Sequence, residues 1–216
     1  MRTGMTVAVL GATGMVGSRV TREAAARGHR VLALSRRPAD EDGHATPIAL
    51  DVTDAHAVRE ALSASVDAVV LTVRTFPADE GFLVDATRTV LDSAAELGIR
   101  VLVIGGAGAL RSPGERDLLV ADNPAYVPAD VRPVAAAGVA QLRTCEAHAC
   151  ADWVYLSPPA ILQPGARTGR YRRGTDTLLT ATDGRSWISA EDLAVAVLDE
   201  LEKPGADRHV TVADGY

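Results

Sequence analysis

The sequence predicts an α/β fold built on a doubly wound parallel sheet, and three observations carry that expectation. Short apolar runs alternate with helical patterns along most of the chain, as strand–helix–strand units require. The first run, Val7–Leu10, stops at Gly11, Gly14 and Gly17, spaced three apart, and a helical pattern begins at once. The 216 residues, 47% of them hydrophobic, suffice for one domain (residues 1–216) with a sizeable core and a small C-terminal lobe.

In that first stretch a buried strand ends, the backbone turns tightly, and a helix starts with its free N–H groups facing the turn. Gly11 permits the turn, Gly14 lets the backbone approach a pyrophosphate, and Gly17 lets helix and strand pack closely. Thr13, Met15 and Val16 belong to the same phosphate-side loop. Val16, Val20 and Ala24 mark one helix face, and Gly28 closes the helix. His29–Leu34 reads as a second strand, followed by Ser35-Arg36-Arg37-Pro38. An NAD-selective fold carries an acidic residue about 20 positions beyond the glycines, on the ribose 2′-hydroxyl. Here Arg36 and Arg37 stand there, and guanidinium groups bind a 2′-phosphate through paired, charge-assisted hydrogen bonds. NADP(H) is therefore expected in preference to NAD(H), a solvated arginine pair being the other reading.

Asp40–Thr46 is polar and turn-like, and Pro47–Leu50 is a third strand. Beyond it, Asp51 suits an adenine amino group with Val52 against the ring face; Asp51, Thr53 or Asp54 also suits the N-cap of a helix through about Leu62. Asp67–Leu71 is a fourth strand. Thr72, Val73 and Arg74 at its carboxyl end are expected at the cofactor, because ligands of open parallel sheets bind there. A long helix with Leu83, Val90 and Leu97 on one stripe ends at Gly98, and Arg100–Ile104 is the fifth strand. Gly105, Gly106, Ala107 and Gly108 then mark a close approach of backbone to a neighbour. The nicotinamide end of the cofactor is one reading of that neighbour, and a plain bend is the other.

Arg111–Pro133, rich in Pro, Asp and Gly, is expected as an irregular lid-like segment, with Tyr126 its one aromatic. Val134–Cys150 is helical, and Asp152–Leu156 is a strand leading into Ser157-Pro158. Thr168–Arg173 and Thr177–Thr182 read as short strands. Ser189 caps a helix with an acidic first turn that runs to Leu201, and His209–Val212 is the last strand. Substrate-side elements are expected mainly in residues 109–133 and 157–190.

The net charge of −6 argues against a nucleic-acid partner. Cys145 and Cys150 lie near His148, but a helix does not put 145 and 150 on one face and no fourth ligand is evident, so no metal site is expected. No run of about 18 apolar residues and no signal core is present, which makes the cytoplasm the expected compartment. The oligomeric expectation is a monomer or homodimer.

Gly11-x-x-Gly14-x-x-Gly17, Asp51 after the third strand and Gly105-Gly106-Ala107-Gly108 after the fifth together resemble the atypical short-chain dehydrogenase/reductase superfamily, with its Rossmann-like sheet. Three later motifs narrow the likeness: Trp153-x-x-Leu156-Ser157-Pro158, Pro164-Gly165-x-Arg167-Thr168-Gly169-x-Tyr171-Arg172, and Ile188-Ser189-x-Glu191-Asp192-Leu193-Ala194. They are similar to its NAD(P)H-binding group, which holds proposed NADH-flavin reductases, flavin reductases of the biliverdin reductase B type and NmrA-like relatives. The resemblance covers almost the whole chain, Arg111–Pro133 least, and implies a nicotinamide cofactor with a C-terminal substrate-binding lobe. On the substrate side the candidates are Tyr126, to stack or donate, Pro158, and Arg167, to an acidic substrate or the cofactor phosphates.

The chain departs from the wider superfamily in one respect that bears on mechanism. Members acting on alcohols and ketones use a Tyr-x-x-x-Lys pair, whereas here no tyrosine has a lysine four residues on and Lys203 is the sole lysine. The serine that the group often carries beyond the glycine loop is replaced by Ala109. Hydride addition to a ketone develops an alkoxide and needs a positioned acid; addition to a flavin or quinone spreads the charge over a conjugated ring. The expectation is an NADPH-dependent reductase of such an acceptor, with flavin as substrate and not as a prosthetic group. A cofactor-sensing regulator of NmrA-like type and a tailoring enzyme (reductase, isomerase or cyclase) are the alternatives.

Overall fold

The computed structural model describes residues 4–38, 43–63 and 65–215. The elements in order are β1 (Thr6–Leu10), α1 (Met15–Ala26), β2 (Arg30–Ser35), β3 (Thr46–Ala49), α2 (Ala55–Leu62), β4 (Ala68–Leu71), α3 (Glu80–Leu97) and β5 (Arg100–Ile104). After these come a hairpin, β6 (Arg111–Ser112) and β7 (Glu115–Leu119), then α4 (Arg132–Ala147) and β8 (Trp153–Ser157). The chain closes with β9 (Ile161–Gln163), β10 (Tyr171–Gly174), β11 (Trp187–Ser189), α5 (Ala190–Glu202) and β12 (His209–Asp214).

Eight strands form one sheet in the order β10-β12-β8-β5-β4-β1-β2-β3, parallel throughout except for β10 against β12. β1, β4 and β8 are buried at every residue, as central parallel strands covered on both faces must be. On one face α2, α3 and α4 bury Val58, Leu91 and Leu142 against Ala8, Val69 and Val103. On the other, α1 and α5 bury Val20, Leu193 and Val197 against Val7, Val9 and Val70. The doubly wound parallel α/β sheet is thus the observed fold. Strand order reverses between β1 and β4, and at such a switch point the loops diverge and leave a crevice beyond the strand carboxyl ends.

The C-terminal third differs from expectation in detail. Thr177–Thr182 forms no strand; Thr177 makes a single bridge with Arg111, and Leu178 packs into a small apolar cluster with Leu110, Val120 and Val127. That cluster also orders the segment expected to be irregular, which contains the β6–β7 hairpin. Thr168 and Gly169 stay outside β10 because the Asp192 carboxylate accepts from both their N–H groups, at 2.8 and 2.7 Å. β9 and β11 pair in parallel as a separate two-stranded sheet that periodicity does not reveal. Part of the expected Asp40–Thr46 turn lies outside the described residues. Among the described residues no helix is long and apolar enough to cross a membrane.

Candidate functional site

A cleft of about 980 Å³ runs across the carboxyl ends of β3, β2, β1, β4, β5 and β8. Its centre is the glycine turn. Gly11 has φ +91°, and a Cβ there would sit 2.3 Å from the Thr72 carbonyl oxygen; a Cβ on Gly17 would sit 2.1 Å from that of Gly11. Side chains at these two positions would pry the turn from β4 and α1 from the turn. Gly11, Thr13, Gly14, Met15 and Val16 line the cleft, while Gly17 lies behind them as a packing contact.

The start of α1 is open. Side chains cap α2 (Asp54), α3 (Asp79) and α5 (Ser189), but none caps α1 at Gly14, and no acidic residue lies in its first turn. Its N-terminal N–H groups and the positive end of its dipole therefore remain available to an anion. Arg36 and Arg37 line the cleft beyond β2, and Arg74 lines it beyond β4. Among the described residues none of the three is in an ion pair with a carboxylate. Ser35, beside them on the cleft wall, has a buried hydroxyl with no hydrogen-bond partner. An uncapped helix start, cations without an ion pair among the described residues and an orphaned hydroxyl together fit the phosphates of a dinucleotide.

Val52 lines the cleft, whereas Asp51 stands exposed beside it. The Asp51 carboxylate accepts from Thr53 N and Thr53 Oγ1 at 3.0 and 2.8 Å, and these bonds, with Arg36 nearby, hold its pKa below the ordinary value. The helix cap is Asp54, which accepts from His56 N and Ala57 N. Thr72 and Val73 at the end of β4 and Gly105, Gly106 and Ala107 at the end of β5 line the next stretch.

Beyond β5 the walls come from α3, α4 and the segment after β8. Tyr126, half-buried at the rim, and Pro158, two of the substrate-side candidates, both line this end of the cleft. Phe82, Leu83, Val127, Val134 and Gln141 line it too, and sequence reasoning missed them. Phe82 lay in view as an aromatic in the first turn of the helix after β4, and Gln141 as a polar residue on an otherwise Ala- and Leu-rich helix face. Tyr155 sits beneath, fully buried; its hydroxyl donates to the Gly138 carbonyl at 2.9 Å, and burial pushes its pKa well above the ordinary phenol value. Ser157 Oγ and His209 Nε2 pair at 3.0 Å in neighbouring strands, and neither lines the cleft.

Arg167 is a correction. It does not line the cleft but forks onto Glu23 of α1, Nε to Oε2 at 2.7 Å and Nη2 to Oε1 at 2.8 Å. Glu23 is only 5% exposed, and a carboxylate so buried requires paired cations, here Arg167 and Arg27. The lone lysine, Lys203, lines a separate hollow with Tyr171 and Asp199. Among the described residues no group of three or more His, Cys, Asp or Glu side chains is arranged to hold a metal ion.

Residues 11–204 match the family model described as NAD(P)H-binding. Three solved structures are similar over nearly their whole lengths. A protein from Burkholderia pseudomallei, described as an exported protein by proposal, is 36% identical with a TM-score of 0.86, over 97% of this chain and 99% of that one. A proposed epimerase from Bacteroides thetaiotaomicron is 32% identical with a TM-score of 0.87, over 99% of each chain. A proposed NADH-flavin reductase from Streptococcus pneumoniae TIGR4 is 27% identical with a TM-score of 0.84, over 98% of this chain and 100% of that one.

Proposed function

This chain belongs to the NAD(P)H-binding family, and we propose that within it the protein is an NADPH-dependent reductase of flavins or similarly conjugated, quinone-like acceptors. The observation that carries the cofactor preference is the wall beyond β2. Ser35 offers an unpartnered hydroxyl, and Arg36 and Arg37 offer guanidinium groups that form no ion pair among the described residues, where an NAD-selective site would carry a carboxylate. The open start of α1 receives the diphosphate, Arg74 lies on its far side, and Asp51 and Val52 flank the adenine.

When bound, the nicotinamide supplies a hydride. The chain's own contribution is to orient it and to shape the space beyond β5 where an acceptor stacks. Tyr155, the tyrosine beneath that space, is sealed from the cleft and held in its neutral form, and Lys203 is elsewhere. Among the described residues that line the acceptor side, only Tyr126 at the rim carries an O–H that could protonate a developing alkoxide, and it has no lysine four residues on. An acceptor that delocalises the incoming charge and takes its proton from water suits such a cleft, and the proposed NADH-flavin reductase among the neighbours accords with it.

The test is NADPH oxidation with riboflavin, FMN and menadione as acceptors. Turnover with at least one of them is expected, faster with NADPH than with NADH. Tight NADPH binding without turnover of any would overturn the reductase reading in favour of a cofactor-sensing protein, for which the missing Tyr-x-x-x-Lys pair is no handicap.

A further inference from the structure

From α3 onward the cleft carries no charge among the described residues. Arg36, Arg37 and Arg74 all lie on the strand side before it, and Leu83, Val120, Val127, Val134 and Pro158 make the acceptor end apolar. Beyond β5, two polar side chains line it among the described residues, Tyr126 at the rim and Gln141 on the wall.

Gln141 is 2% exposed and lies one turn after Gly138 on α4, where α3 and α4 converge behind β5. Its Nε2 donates to Thr87 Oγ1 at 3.1 Å. Its Oε1 is 3.4 Å from the Tyr155 hydroxyl, but that hydroxyl has one proton and a nearer acceptor, the Gly138 carbonyl at 2.9 Å. A carboxamide offers two N–H donors and a carbonyl with two lone pairs. One donor is committed here. Among the described residues the second donor has no hydrogen bond and the carbonyl only the long one, and the residue lines an apolar cavity, where Leu or Met would fill the same volume with no polar group to satisfy.

We propose that Gln141 is the recognition group for the acceptor, pairing with the edge of an uncharged planar ring that presents a carbonyl beside an N–H. The pyrimidine edge of an isoalloxazine has that pattern: a ring carbonyl accepts from Nε2, and the neighbouring imide N–H donates to Oε1. Held by that edge within apolar walls, the ring lies in the acceptor space of the cleft, and this assignment rests on the reductase reading above. Acceptors with no N–H, such as a naphthoquinone, keep only one of the two bonds and bind through the walls.

The experiment compares the full-length protein with its Gln141→Leu and Gln141→Glu variants, using riboflavin, N3-methylriboflavin and menadione. Two readouts are taken: KM and kcat with NADPH, and quenching of flavin fluorescence on titration with protein saturated with NADP⁺, which needs no turnover. The parent protein is expected to bind riboflavin about tenfold more tightly than its N3-methyl analogue, and Gln141→Leu to lose that preference. Its KM for riboflavin rises about tenfold at nearly unchanged kcat, menadione kinetics shift less than threefold, and NADPH affinity is unchanged. Equal losses on riboflavin and menadione would mark Gln141 as structural and overturn the proposal, as would parent protein that binds both flavins alike. If Gln141→Leu does not fold, Gln141→Glu, which keeps the volume and loses both N–H donors, must weaken riboflavin more than menadione. Riboflavin bound without turnover overturns the reductase reading and leaves this one standing; no binding of riboflavin overturns this one.

Discussion

A Cβ on Gly105 would lie 1.8 Å from the hydroxyl oxygen of Tyr155 and 1.9 Å from the ring carbon that bears it. The ring cannot swing aside, because Tyr155 is fully buried and its hydroxyl is held by the Gly138 carbonyl. The bare backbone at the end of β5 is thus first a seat for a core aromatic and only then a wall of the cleft. Gly105→Ala is expected to cost about 1–3 kcal/mol, read as a lower midpoint of urea unfolding. The cost should shrink in a Tyr155→Leu background, since the two positions share one volume. An alanine variant as stable as its parent would show that the ring has room to move.

Replacing Arg36 and Arg37 together with alanine should weaken NADPH at least tenfold, since each charge-assisted hydrogen bond contributes about 1.5–3 kcal/mol. NADH, which lacks the 2′-phosphate, should change less than about threefold. Fluorescence titration of both cofactors measures the two constants, and equal losses would detach these arginines from the 2′-phosphate.

Arg167→Ala tests the pairing with Glu23. The exposed arginine contributes about 0.5–1 kcal/mol, a few degrees of Tm for a chain of this size, and NADPH affinity should stay within twofold. A tenfold loss of NADPH at unchanged Tm would contradict the placement of Arg167 away from the cleft.

Stability should fall with acid in two stages. Burial holds His209 below its ordinary imidazole value of about 6.5; Asp176 opposes this and Arg111 adds to it. The unfolded chain thus takes the proton first, so the stability is fully present above about pH 6.5 and is lost progressively as the pH drops toward the folded-state value. Glu23 is held below its ordinary value first by the Arg167 hydrogen bond, then by Arg27, against its burial. Its contribution is present above about pH 4.5 and disappears as the pH falls through the folded-state value. Urea midpoints from about pH 8 down to about pH 2.5 should show both stages, and His209→Gln should flatten the first alone. A first stage that survives this substitution would mean another group titrates there.

The central strands and the helices between them were legible because each is a long apolar run or a sustained helical stripe, such as Val7–Leu10 or Leu83 to Leu97. β9 and β11 were not, since three residues carry no period. The strand side of the cleft was legible too, because its residues follow strand ends in a fixed topological order. The acceptor side was not: Leu83 and Val134 look like ordinary core positions until the fold leaves them facing a cavity. Arg167 misled because a cation in a glycine-rich turn resembles a phosphate ligand, while its true partner, Glu23, lies 144 residues away in the sequence.

That separation also bears on when the molecule becomes able to bind. The glycine turn and α1 lie close together in the sequence and are made long before α5. Their outer supports come late: Glu191 for Arg19, Asp199 for Arg27, and Leu193 and Val197 over Val16 and Val20. Until α5 has been made, the helix that offers its N-terminus to a diphosphate has one apolar side bare. A phosphate-binding motif made early is completed by partners 172 residues further along the chain.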